Sequence, residues 1–139
     1  MLLKKHLRWL VVALVGTLVL GGTALAAKKK KNSLKVKAPT SVKVGTTYQV
    51  VTSGRAKGKA NFVVALAVRA PCKSNWRAEF SAAGRPSTVN LARPVHRKFK
   101  KVRSIKAGAP GTVYWCAYLI NNHTLKTYAH KSKHWTDVP

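Results

Sequence analysis

Acidic side chains are almost missing from this chain. Among 139 residues there are two, Glu79 and Asp137. Hydrolysis by a pair of cooperating carboxylates needs two acids at one site, and a catalytic triad needs an acid to orient its histidine; neither is well provided for here. No G-x-S-x-G elbow occurs, and the glycines at 54 and 58 are not followed by the G-K-[ST] ending of a phosphate-cradling loop. Cysteine is scarce as well, with Cys72 and Cys116 only. Neither has the C-x2-C spacing or the neighbouring histidine of a metal-thiolate site. No internal repeat is visible. Nothing in the sequence calls for a cofactor or a metal, and it reads as non-enzymatic.

What fills the gap is positive charge. Lys and Arg number 27, giving a formal net charge of +25. A chain this basic repels itself and is drawn to any polyanion it meets. The first residues read as an export address. A basic head with Lys4, Lys5 and Arg8 precedes an apolar stretch over residues 9–20, and Ala24-Leu25-Ala26 ends it with the small-x-small pattern of a cleavage site. Residues 1–26 are therefore expected to be a secretory signal peptide, and the apolar part is short for a spanning helix. The alternative is an uncleaved signal anchor, favoured by the basic run Lys28 to Lys31, since positive charge past the exit slows export. No cysteine lies near the exit and no twin-Arg pair precedes the apolar stretch, which argues against a lipoprotein or a twin-arginine route. Residues 27–33 read as a basic flexible tail, and 34–139 as one domain. Two cysteines in a small exported domain are expected to form a disulfide, Cys72 with Cys116.

Beyond the tail, short runs alternate apolar and polar residues with turn signals between them, the pattern of strands in an all-β sandwich. Strands are expected at 34–36, 42–44, 46–52, 61–69, 88–91, 95–106 and 112–121. A final strand over 125–138 is expected to be interrupted at 130–133, and residues 53–60 to be a turn. In 61–69 both faces are apolar, with Phe62, Val64, Leu66 and Val68 against Val63, Ala65 and Ala67, as in a central strand buried on both sides. After Cys72 the period changes. Trp76, Phe80 and Ala83 follow helical spacing, with Asn75 as cap and Gly84 as stop, so one short helix is expected.

The stretch Gly111-Thr112-Val113-Tyr114-Trp115-Cys116-Ala117-Tyr118-Leu119 resembles the penultimate strand of immunoglobulin-like sandwiches, where a tyrosine stands two residues before a buried cysteine. Residues 34–138 as a whole are similar to Ig-like domains of small exported bacterial proteins. The resemblance implies an Ig-like antiparallel β-sandwich with one short helical insert, and makes Tyr114 the structural corner whose hydroxyl bonds back to the chain. It differs from antibody domains in that Cys72 follows its apolar strand, and no Trp lies within that strand. It transfers no active site, because sandwich folds host many unrelated functions.

The densest basic cluster is 93–106, with Arg93, Arg97, Lys98, Lys100, Lys101, Arg103 and Lys106. As a strand it would space same-face cations by about 6.6 Å, a pitch that lets them meet successive anionic groups of a polymer. The same charges also protect an edge strand against aggregation, and the two roles are compatible. His130 and His134 read as surface histidines in a basic segment. The expected partner is an anionic polymer or an anionic membrane surface of the cell envelope, so the protein would be secreted or envelope-associated. Nucleic acid is not favoured, because aromatics for base stacking are few in the basic stretches. Two other readings stand beside this one: a secreted cationic membrane-active effector, and an Ig-like subunit that binds an acidic protein.

Overall fold

The computed structural model describes residues 29–84 and 89–139, so the expected signal peptide and the start of the tail lie outside the described residues. Eight strands and one helix follow in order: β1 (Ser33–Lys37), β2 (Ser41–Lys43), β3 (Thr47–Ala56), β4 (Phe62–Val68), α1 (Trp76–Ala82), β5 (Leu91–Pro94), β6 (Arg97–Lys106), β7 (Gly111–Ile120) and β8 (Thr127–Val138). They form a three-stranded sheet in the order β1-β3-β6 and a five-stranded sheet in the order β2-β8-β7-β4-β5. Every pairing is antiparallel except β2 with β8. The protein is an all-β, Ig-like sandwich with one short helix.

Alternation builds two apolar layers. Val113, Trp115, Ala117 and Leu119 of β7 face the space between the sheets, where they meet Val50 of β3, Leu34 of β1 and Val63 and Ala65 of β4. The other side of β7 carries Cys116, Tyr118 and Ile120, which pack with Val64 and Leu66 of β4 and with Trp76 of the helix. β4 therefore needs apolar residues on both faces, one for the sandwich and one for the helix. Between the sheets, Trp115 Nε1 donates to Thr52 Oγ1 at 3.0 Å, both residues fully buried.

The helix starts where expected. Asn75 caps it, its side chain accepting from the Ala78 amide at 2.9 Å. Trp76 seats it, with ring centroids 5.3 Å from Phe80 and 5.9 Å from Tyr118. The disulfide joins Cys72, just before the helix, to Cys116 on the helix-facing side of β7, with Cα atoms 5.4 Å apart. It fastens the helical insert to one sheet and does not cross the sandwich.

Several boundaries differ from the sequence expectation. Residues 53–56 continue β3 instead of turning, because both neighbours reach them: Ser33 and Leu34 pair with Arg55 and Gly54, while Arg97 to Lys100 pair with Ala56 to Ser53. Gly54 is required there, since a Cβ would run into the backbone carbonyl of Ser33. The strand expected at 88–91 is β5 at Leu91–Pro94, with residue 88 outside the described residues. β6 begins at Arg97 rather than at residue 95, because the Val95 amide still bonds to the Asn61 carbonyl beside the five-stranded sheet. Arg97 then turns the chain towards the other sheet with a left-handed φ of 53°. β8 runs unbroken through 130–133, its ladder to β7 carrying the basic residues.

Candidate functional site

Both carboxylates of the chain are buried, Glu79 and Asp137 each at 3 % exposure. Glu79 Oε2 accepts from the Lys73 amide and from the Tyr118 hydroxyl, the latter at 2.7 Å. The same hydroxyl lies 2.7 Å from the Lys73 carbonyl. Burial, then the hydrogen bond to Glu79 and its charge, hold Tyr118 well above the usual tyrosine range. Asp137 Oδ1 accepts from Trp135 Nε1 at 3.1 Å, and Oδ2 lies 3.7 Å from the Arg69 guanidinium. Nearby Tyr48 is pushed up to about 12, chiefly by burial and then by the Asp137 carboxylate.

The two acids cannot act together. Asp137 pairs with Gly111 at one end of β7, while Glu79 holds Tyr118 seven residues along, a separation on the order of 24 Å for a strand. Each carboxylate is occupied by partners from its own structure. Among the described residues no buried side-chain polar atom lacks a hydrogen-bond partner. A cavity of about 500 Å³ lies beside Arg69, Lys73 and Glu79, and among the described residues its lining holds no Ser, Thr, Cys or His. One cluster with metal-ligating side chains occurs among the described residues, Cys72, Glu79 and Cys116, but its sulfurs are bonded to each other. His130 and His134 lie on one face of a continuous strand, where four residues span roughly 13 Å, too far to share an ion. Their rings instead lie beside Tyr118 and Tyr114, at 6.3 and 5.7 Å.

With the acids buried, the exposed charge is cationic, and the sheet register decides where it gathers. The expected basic cluster divides. Lys98, Lys100 and Lys106 project from the outer face of the three-stranded sheet, alternating with the inward Phe99 and Ile105 that pack on the core. Lys101 and Arg103 lie on the inward side of β6, opposite Thr52 and Val50, with Lys101 half-buried and Arg103 exposed. Arg97 occupies the crossover, and Arg93 belongs to β5 in the other sheet, where it bonds the Ala92 carbonyl.

The outward cations of β6 are joined by residues that sequence reasoning did not group with them. Leu34 and Val36 of β1 face inward, so Lys35 and Lys37 face out. Through β3, the register sets Lys35 and Lys100 on either side of Ser53, Lys37 and Val102 on either side of Val51, and Arg55 beside Lys98. The alternation in β1 was readable from sequence; its alignment with β6 was not, because 63 residues separate Lys35 from Lys98. Tyr114 stands on the helix-facing side of β7 with its ring against His134. The tyrosine hydroxyl that bonds back to the chain is that of Tyr118.

Comparison of the sequence with family models and with curated proteins finds no match. Among solved structures, the fold is similar to the CARDB domain of the PF1109 protein from Pyrococcus furiosus, solved in complex with di-metal ions. The TM-score is 0.51 at 11% sequence identity, covering 78% of this chain and 89% of that one. The likeness is one of fold. It agrees with the Ig-like sandwich and carries no site across.

Proposed function

We propose that the protein is an exported, non-enzymatic Ig-like module that associates electrostatically with anionic polymers or surfaces of the cell envelope. One observation carries this reading: the only two acidic side chains are buried, so that among the described residues the Lys and Arg side chains form one ion pair, Arg69 with Asp137. Attraction would come from counterion release summed over many weak contacts, and so would fall steeply with salt. The disulfide supports an oxidising location. Among the described residues no helix is long and apolar enough to cross a membrane. The helix that is present, α1, is short and already packed on β4 and β7, which counts against membrane insertion as its mode of action.

The test is a salt-titrated binding panel of the exported protein against a phosphate-rich wall polymer, DNA and anionic vesicles. Tight binding at low ionic strength with a steep linear loss on a log–log salt plot is the expected result. Indifference to all three would overturn the proposal. Leakage of vesicle contents at low protein concentration would show a membrane-disrupting activity instead.

A further inference from the structure

Resting on that reading, we infer that the outer face of the β1-β3-β6 sheet is a track for a single extended, base-free phosphate polymer lying along β3. Lys35 and Lys37 on β1 form one rail, Lys98 and Lys100 on β6 the other. Two strand spacings set the rails roughly 10 Å apart, and same-face neighbours within a rail are spaced about 6.8 Å. Between them β3 presents Ser53, flanked by Lys35 and Lys100, and Val51, flanked by Lys37 and Val102, while Arg55 adds a cation beside Lys98 at the end of the track. At one end a shallow depression of about 280 Å³ is lined by Ser33, Lys35, Ser53, Gly54, Arg55, Lys98 and the edge of Phe99. Further along the same face of β6 stands Lys106, opposite Thr47.

Three features favour a chain over other polyanions. The low track is one strand wide, so a polymer lying in it is within reach of both rails at once. A bilayer would touch only the lysine tips and leave the track unused. The outward positions of β1, β3 and β6 contain no aromatic residue, since Tyr48 and Phe99 are turned inward against the core. With Phe99 packed on the core and only edging the end depression, nucleobases would find no aromatic face standing along the track, whereas the serine hydroxyls and ammonium groups suit phosphate oxygens.

The experiment compares two full-chain variants that each lose four charges. One carries Lys35→Gln, Lys37→Gln, Lys98→Gln and Lys100→Gln. The other carries Lys43→Gln, Lys126→Gln, Lys131→Gln and Lys133→Gln, all exposed and outside the track. With inorganic polyphosphate as probe, the track variant should lose at least about tenfold in affinity, and its salt slope should flatten by about one unit per engaged lysine. The second variant should lose less than about threefold. Equal losses would show that total charge alone matters and overturn the track, while leaving the general reading intact. If the unaltered protein ignores polyphosphate, DNA and vesicles alike, the general reading fails. Single-stranded DNA of equal charge binding more tightly than polyphosphate, or vesicles being the only ligand retained, would also overturn the inference. A fold-independent check uses the unaltered protein. Amide shifts on adding polyphosphate should concentrate at 33–37, 51–55 and 98–102, and a uniform spread over the surface would refute the track.

Discussion

Thr52 and Trp115 meet across the gap between the sheets, on the pair of strands, β3 and β7, where antibody domains place a disulfide between sheets. Here the link is a buried hydrogen bond of 3.0 Å. Thr52→Val keeps the shape but strands the indole N–H in an apolar layer, at a cost of about 1–3 kcal/mol. Urea unfolding should show that loss with an unchanged m-value, and a cost near zero would mean that the indole finds another acceptor. A second residue-scale prediction concerns alkaline pH. Tyr48 is pushed up to about 12 in the folded protein, while an unfolded tyrosine ionises near 10. The unfolded chain therefore releases its proton first, and stability should fall as pH rises from about 10 towards 12. The buried Tyr118, also shifted upward, adds to the same trend. A melting temperature flat across that window, or a Tyr48→Phe variant that loses as much as the parent, would contradict it.

At the scale of elements, the disulfide and the helix form a cover on one sheet, separate from the sandwich. Removing the bond with Cys72→Ser and Cys116→Ser should lower stability by roughly 4 kcal/mol in the chain-entropy model, given a sequence separation of 44. Hydrogen exchange should accelerate first in 72–84, while the β3 and β7 amides keep their protection. Early loss in β3 would show that the bond supports the whole sandwich. Much at this scale was legible in sequence. Asn75, Trp76, Phe80 and Gly84 announced the helix, and the two apolar faces of β4 announced its central place. What escaped depended on partners distant in the chain. Residues 53–56 look like a turn because Gly54 and Arg55 break the apolar pattern, yet β1 and β6 hold them on either side. Residues 130–133 look like a break because they are polar, yet β7 pairs with every one of them.

For the whole molecule, composition set the excess of positive charge and the fold arranged it. The density of lysine and arginine was plain from sequence, as was the cluster at 93–106. Strand alternation then divided that cluster between two faces, and register brought Lys35, Lys37 and Arg55 beside Lys98 and Lys100. No local pattern encodes such a meeting. The large excess of Lys and Arg over the two acids, which lies almost wholly beyond residue 26, also strains the folded state through self-repulsion, which salt screens. The melting temperature should therefore rise as sodium chloride is increased from low to physiological strength, over the same range in which the proposed polymer binding would weaken. A melting temperature that falls over this range would show that specific ion pairs outweigh the repulsion.

The burial of Glu79 and Asp137 also decides how divalent metals would act. Calcium and magnesium can cement an acid-rich protein to a phosphate polymer by gripping carboxylates on one side and phosphates on the other. On this surface they would find no accessible side-chain carboxylate, only rivals for the same phosphates. Under the proposed function they should therefore displace the protein rather than anchor it, and its hold on the polymer would be weakest wherever such ions are plentiful.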